Sequence, residues 1–253
     1  MEPTAIVKAF TLLEATAATA EGRSLGQLAA EAGLSKPTTH RILKTLTALG
    51  YVERKGPGIY RQSPRARRLL GGGGQAALLD AAEPILRRLH AETEETINLG
   101  TVRQGRVVYL QVLESTLPLR RVVTPHSTDP FYCTALGRAI VAHLPPSQRE
   151  TLLATARPEQ RTQHTVTDAA ELDRILSAVG QADFAVEEDQ TDIGVTCIAA
   201  PVFDVDGVVA AISISIPSAR AAAPARDRLV AMVKTAAKEL SQRLTAEQEA
   251  GAR

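Results

Sequence analysis

Residues 33–61 read GLSKPTTHRILKTLTALGYVERKGPGIYR. Ser35 stands where a helix N-cap belongs, and Pro37 falls in the first turn, where a missing N–H costs nothing. At about 100° per residue, Ile42, Leu43, Leu46 and Leu49 share one face of that helix. Pro37, His40, Arg41 and Lys44 take the opposite face, with Lys36 and Thr38 near its N-terminal end. Gly50 is placed to end the helix. The following YVERKGPGIYR predicts two short strands joined by a glycine–proline turn. One amphipathic helix with a basic outer face, followed by a glycine-rich hairpin, points to a surface that meets something.

The residues upstream complete a pattern. In SLGQLAAEAG (24–33), Ser24 and Gln27 form a capping box and Gly33 ends a short helix. Before it, Ile6, Phe10 and Leu13, with Val7 beside them, predict a helix with one apolar stripe facing the core. Two helices joined by a short glycine turn, the second with a basic face, match the helix-turn-helix plan, and the hairpin adds a wing. A helix of this kind fits the major groove of double-stranded DNA and presents Lys36, Thr38, His40, Arg41 and Lys44 to phosphates and base edges. Its start at Ser35 offers backbone N–H groups to phosphate. Arg54, Lys55 and Arg61 lie where the wing would meet the neighbouring backbone. The charge agrees: through Gly71 the chain has 11 Lys and Arg against 5 Asp and Glu, while the rest has 18 against 23. A basic front end on an acidic body fits a polyanionic partner for the first part alone.

Downstream, RARRLLGGGGQAALLD marks a boundary. Each glycine of Gly71 to Gly74 costs a helix roughly 1 kcal/mol relative to alanine. A helix beginning near Ser63 and Pro64 is therefore expected to be softened or broken there. A second helix is expected from about Leu78 to Thr93, with Leu79, Ala82, Ile85, Leu86 and Leu89 on one stripe. TINLGTV and GRVVYLQVLES then read as a hairpin around RQG, and CIAAPVFDVDGVVAAISISI as two strands around an Asp-Gly turn. Helices are expected in TALGRAIVAHL, stopped by Pro145 and Pro146, in SQRETLLATA, in DAAELDRILSAVG, and from about Pro224 to Leu244. Strands early and late with helices between them predict an α/β domain whose mostly antiparallel sheet is covered by helices.

Other classes find little support. No segment reaches the roughly 18 consecutive apolar residues that a membrane span requires. The N-terminus lacks the basic and apolar regions of a signal peptide, so a cytoplasmic protein without a membrane partner is expected. The two cysteines, Cys133 and Cys197, form no CxxC pair and no His cluster accompanies them, so neither a disulfide framework nor a structural metal is expected. A cysteine nucleophile needs a histidine base, yet His126, His143 and His164 stand in no hydrolase signature. No catalytic residue and no cofactor are predicted. A cysteine-dependent enzyme and a redox sensor remain the alternatives.

The order of helix, LGQLAAEAGLSKPTTHRILKTLTALGYVER, glycine wing and RLL resembles the IclR family of bacterial transcriptional regulators. DPFYCTALGRAIVAHLPPSQRETLL is similar to that family's P-x-H-x-T-A-x-G-K-A segment, and GVTCIAAPVFDVDGVVAAISIS to its C-terminal signature. The resemblance implies an α+β chain in three parts. These are a winged helix-turn-helix over residues 1–62, a linker helix region over 63–80, and a GAF-like α/β domain for effector binding and oligomerisation over 81–253. It further implies a palindromic operator, a small-molecule effector, and a homodimer or dimer of dimers. Matched to effector-lining positions are Tyr132, Cys133, Ala135 and Leu136 around a helix start capped by Thr134, Glu187 on a facing loop, Cys197, and Ser213 and Ser215 on the last strand. The two serines alternate onto one sheet face. Two departures bear on the ligand: Tyr132 replaces a histidine, and Arg138 replaces a lysine. No Lys or Arg falls at a matched lining position, and Glu187 repels a carboxylate unless protonated. Beside the organic and aromatic acids usual in the family, a phenol or sugar derivative able to bond Glu187 and the serines is therefore expected.

Overall fold

The structure, a computed structural model, describes residues 4–16, 22–56, 58–63, 66 and 73–251. The chain divides into two units, Met1–Ala77 and Leu78–Arg253.

The first unit opens with helix α1 (Ala5–Ala15), capped by Thr4. Strand β1 (Arg23–Ser24) leads into α2 (Leu25–Glu31), where the Ser24–Gln27 capping box closes. Gly33 adopts φ +63° in the turn before α3 (Lys36–Ala48), the left-handed region that a side chain disfavours. Ser35 caps α3, its hydroxyl accepting from Thr38 N–H, and Pro37 sits in the first turn. Strands β2 (Val52–Arg54) and β3 (Ile59–Gln62) form the hairpin, with β1 on the far side of β3, giving the order β1-β3-β2. The core gathers Leu12, Leu13, Leu28, Leu43, Leu46, Val52 and Tyr60.

Two apolar stripes differ from expectation. In α1 the buried residues are Leu12, Leu13 and Ala15, while Ile6 is 69% exposed and Val7 and Phe10 each 51%. Leu13 of the expected stripe is buried, but the buried face is turned toward Leu12 and Ala15, which leaves Ile6 and Phe10 outside. In α3 the buried face is Thr39, Leu43 and Leu46; Leu49, at the C-cap, is exposed because the chain turns away there. Pro64, at the expected helix start, and residues 65 and 67–72 of the 63–80 linker fall outside the described residues.

The second unit begins within α4 (Gly73–Thr93), a helix that starts inside the glycine run, five residues before the expected Leu78. Its sheet has six strands: β4 (Thr96–Arg103), β5 (Arg106–Leu113), β6 (Thr128–Pro130), β7 (Ala185–Glu188), β8 (Val195–Asp204) and β9 (Gly207–Pro217). Their order is β6-β5-β4-β9-β8-β7, with every pairing antiparallel. One face packs on α4 and on the long C-terminal helix α8 (Ala223–Gly251) through Ile85, Leu86, Ile198, Ile212, Ile214, Val233 and Leu240. The other face meets α5 (Ala135–Val141) and α7 (Ala169–Ala182) through Ala135, Leu136, Ala139 and Val179. Helix α6 (Pro146–Thr155) lies between those two in sequence. Helix α5 ends at Val141, before the two prolines expected to stop it. Gly137 lets it approach the preceding turn, where an added Cβ would lie 2.4 Å from Phe131 Cα.

Candidate functional site

Two surfaces concentrate the chemistry, one in each unit. In the first, the face of α3 opposite Leu43 and Leu46 carries Lys36, His40, Arg41 and Lys44, all exposed. Among the described residues none of these four takes part in an ion pair. Ser35 and Thr38 serve the helix itself: Ser35 Oγ donates to Thr38 Oγ1 at 2.9 Å and accepts from Thr38 N–H at 3.4 Å. On the wing, Arg54 and Lys55 are exposed, with the Arg54 guanidinium 5.6 Å from the Tyr60 ring centroid. Arg61 differs from expectation. Its Nε and Nη2 donate to Glu53 Oε2 at 3.1 and 3.0 Å, because Glu53 and Arg61 are directly paired across β2 and β3. Four exposed cationic or imidazole groups on a helix narrow enough for the major groove suit phosphate and base-edge contact.

The second surface is a buried polar row on the sheet face under α5. Glu187, Cys197, Ser215 and Thr96 are in register across β7, β8, β9 and β4, so their side chains share one face. In the next row Asn98 pairs with Ser213. Asn98 Nδ2 donates to Ser213 Oγ and Ser215 Oγ, both at 3.1 Å, and Ser215 Oγ lies 3.2 Å from Cys197 Sγ. Glu187 lies on the edge strand β7, not on a loop as expected; four residues are too few for alternation to reveal a strand. It is 1% exposed, and its Oε2 accepts from Gln190 N–H at 3.2 Å. Among the described residues, Glu187 Oε1 and Asn98 Oδ1 are buried with no hydrogen-bond partner. Burial pushes the Glu187 carboxyl up to about 6, against the neighbouring Thr191 hydroxyl, the Gln190 N–H, Arg121 and Arg138, which favour the anion; the Thr191 hydroxyl itself donates to Cys133 O at 2.6 Å.

A basic residue also reaches this row, although none was expected there. Arg121, from the irregular segment between β5 and β6, has its guanidinium Nη1 3.8 Å from Cys197 Sγ and 3.4 Å from the Tyr109 hydroxyl. It pairs with Asp129 through Nη2 (3.1 Å) and with Asp192 through Nε (3.4 Å). Asp129 also takes a hydrogen bond from Tyr109 (2.9 Å) and pairs with Arg161 (2.9 Å). The Arg121 carbonyl accepts from Thr96 Oγ1 at 3.2 Å, which ties the segment to the end of the polar row. Sequence reading overlooked both Asn98 and Arg121. Asn98 alternates onto the sheet face that takes Ser213 and Ser215 across the ladder, a signal legible once the strands are paired. Arg121 lies in no regular element and gave no such signal.

The remaining expected residues divide. Ala135, Leu136 and Cys197 belong to one apolar cluster beneath the row. Tyr132 and Cys133 belong to a different one with Leu172 and Leu176: the Tyr132 hydroxyl accepts from Glu159 N–H at 2.9 Å, and Cys133 Sγ faces Pro130 O at 3.7 Å. Arg138, 1% exposed, donates from Nε to Tyr132 O at 2.8 Å and from Nη2 to Gln190 Oε1. Gln190 thus links Arg138 to Glu187. Thr134 caps α5, its hydroxyl accepting from Gly137 N–H at 3.2 Å.

Burial pushes the Cys133 thiol up to about 11 and the Cys197 thiol up to about 12. A nucleophilic or redox-sensing cysteine requires the opposite shift, toward thiolate. Among the described residues no group of three or more His, Cys, Asp or Glu side chains could hold a metal ion, and no helix is long and apolar enough to cross a membrane.

Both units match known protein families. Residues 5–56 match the IclR helix-turn-helix domain, and residues 74–242 match the family described as Bacterial transcriptional regulator IclR C-terminal. The HTH-type transcriptional regulator KdgR of Dickeya chrysanthemi is 31% identical over 94% of this chain and 79% of that protein. The HTH-type transcriptional regulator BhcR of Paracoccus denitrificans is 31% identical over 98% of this chain and 90% of its own. The crystal structure of an IclR homolog from Microbacterium hydrocarbonoxydans, complexed with 4-hydroxybenzoate, shares the fold with a TM-score of 0.62. It is 24% identical and covers 95% of this chain and 99% of that one. A helix-turn-helix with an exposed basic face and a C-terminal effector domain, matched along nearly the whole sequence, place this chain in the IclR family of bacterial transcriptional regulators.

Proposed function

We propose that this regulator binds a palindromic operator as a homodimer or dimer of dimers and changes its operator affinity when a small hydroxylated organic acid, an aromatic acid, a phenol or a sugar derivative enters the second unit. It acts in the cytoplasm, where the DNA is. Residues 1–62 read DNA, residues 63–80 couple, and residues 81–253 sense and oligomerise. Lys36, Thr38, His40, Arg41 and Lys44 approach the major groove from α3, with Ser35 fixing its start, and Arg54 and Lys55 approach the flanking backbone. Arg61, held by Glu53, contributes less. The exposed Ile6, Val7 and Phe10 on α1 are an apolar patch that a second copy would cover, which favours self-association.

The effector lies against Ala135, Leu136, Glu187, Cys197, Ser213 and Ser215, with Asn98 beside them and Tyr132 and Cys133 shaping the turn behind. The observation that carries this reading is the buried polar row with two acceptors lacking partners, Glu187 Oε1 and Asn98 Oδ1. A buried acceptor without a donor costs about 1–3 kcal/mol, and a ligand hydroxyl removes that cost. The solved relative that holds 4-hydroxybenzoate carries both a hydroxyl and a carboxylate on its ligand, which suits the same chemistry here. A ligand that binds one arrangement of the dimer better than another shifts operator affinity by that difference.

The test is selection of duplexes from a randomised pool by the full chain, followed by competition with a library of organic acids, phenols and sugars. Enrichment of an inverted repeat, and its release or capture by one compound, is expected. A pool that stays unenriched at low salt refutes the DNA reading; an enriched duplex indifferent to every compound refutes the effector reading.

A further inference from the structure

We propose that Arg121 is the specificity-determining residue of the effector site, and that Asp192 occupies its guanidinium until a ligand carboxylate displaces it. This rests on the reading of the polar row as the effector site and deepens it.

Arg121 has two carboxylate partners of unequal standing. Asp129 is largely buried, lies 3.1 Å from Nη2, and is itself held by Tyr109 and Arg161. Asp192 is 52% exposed, lies 3.4 Å from Nε, and makes no other ion pair among the described residues. An exposed carboxylate at that distance is weakly held, because water and salt screen it. The guanidinium itself is largely buried, so a carboxylate meeting it inside the site gains a charge-assisted, two-pronged contact. Asp192 is thus the partner that yields, and Asp129 keeps the guanidinium in place while it does.

The position of the guanidinium also orders the ligand. It lies 3.8 Å from Cys197 Sγ within the row, and its backbone is tied to Thr96. Glu187 Oε1, the unpartnered acceptor, repels a carboxylate and accepts from a hydroxyl. A ligand carrying a carboxylate at one end and a hydroxyl at the other is therefore oriented, carboxylate to Arg121 and hydroxyl to Glu187. This removes the objection that Glu187 leaves an acid ligand without a cationic partner.

The experiment follows the thermal stability and binding isotherms of the full chain with three matched pairs: 4-hydroxybenzoate and 4-hydroxybenzamide, pyruvate and pyruvamide, gluconate and gluconamide. Phenol and glucose serve as neutral controls. At least one carboxylate is expected to raise Tm by about 5–10 °C at about 100 times its Kd, and its amide to do so far less. Arg121→Ala is expected to weaken that carboxylate at least about 30-fold, as loss of a buried charge partner does. Arg121→Lys restores part of the affinity. Asp192→Asn, on an exposed residue, tightens carboxylate binding about 2–5-fold by removing the competing surface pair and leaves neutral compounds unchanged. A purely structural role for Arg121 predicts no such gain, so this variant decides the matter even if Arg121→Ala does not fold. Equal binding of a carboxylate and its amide, or unchanged carboxylate affinity in Asp192→Asn, overturns the proposal. Stabilisation by neutral compounds alone overturns the anchor while the effector site stands; no stabilisation by any compound overturns both.

Discussion

Replacing Glu187 by glutamine tests the site electrostatically. The Glu187 carboxyl is 1% exposed and is pushed by burial from its usual 4.5 up to about 6. The folded chain therefore holds this proton more tightly than the unfolded chain does. Below about pH 4.5 the carboxyl is neutral in both states and carries no penalty. Between about 4.5 and 6 the penalty grows, and above that it is complete. One and a half pH units at about 1.4 kcal/mol each give a cost of about 2 kcal/mol at pH 8. Glu187→Gln is neutral at every pH and keeps an oxygen that can accept from Gln190 N–H. The variant should therefore be about 2 kcal/mol more stable than the parent at pH 8, and less than about 1 kcal/mol more stable at pH 5. For a unit of this size each kcal/mol moves Tm by about 2–4 °C, so the Tm gap should shrink by about 2–5 °C between pH 8 and pH 5. Scanning calorimetry at the two pH values, following the larger unit's transition, reads this directly. Any fixed gain or loss from the amide shifts both gaps equally and leaves their difference intact. A gap of the same size at pH 5 and pH 8 refutes the reasoning.

Arg41→Ala, on the exposed face of α3, should weaken binding to the selected duplex and lower the salt dependence of log K by about 0.9, if Arg41 meets one phosphate; fluorescence anisotropy across a salt series measures it. Ser35→Ala removes the N-cap of α3 and should cost about 1 kcal/mol, read from urea unfolding. Gly137→Ala brings a Cβ within 2.4 Å of the Phe131 backbone and should cost about 3 kcal/mol, since neither α5 nor the preceding turn has room to yield; the loss appears as a lower Tm of the larger unit.

Local chemistry made much of this molecule legible in advance. Ser24 with Gln27, Ser35, and Gly33 between two helices speak through hydrogen bonds that span three residues, so they can be read without knowing where the rest of the chain lies. The same is true of the basic face of α3 and of the hairpins around Gly105 and Gly207, whose period and turn residues lie within a few positions of one another. The motifs around Thr134 and through Ser215 are as local, and they sufficed for the family.

The contacts that build the proposed effector site are of another kind. Asn98 bonds Ser213 across 115 positions, and Arg121 reaches Cys197 across 76. Nothing near Arg121 marks it, because its segment has neither helical nor strand period, and nothing near Glu187 marks a strand four residues long. Only the antiparallel order β6-β5-β4-β9-β8-β7 sets Glu187, Cys197, Ser215 and Thr96 in one row and hangs Arg121 at its end. The choice of the buried side of α1 is likewise tertiary. Leu13 lies on the expected stripe, and packing against Leu28, Leu43 and Tyr60 adds Leu12 to it while leaving Ile6 and Phe10 outside. The sequence by itself determined the elements, because they rest on neighbours. The tertiary structure decided the site, because burying one sheet face against α5 brings distant polar groups together where water cannot satisfy them.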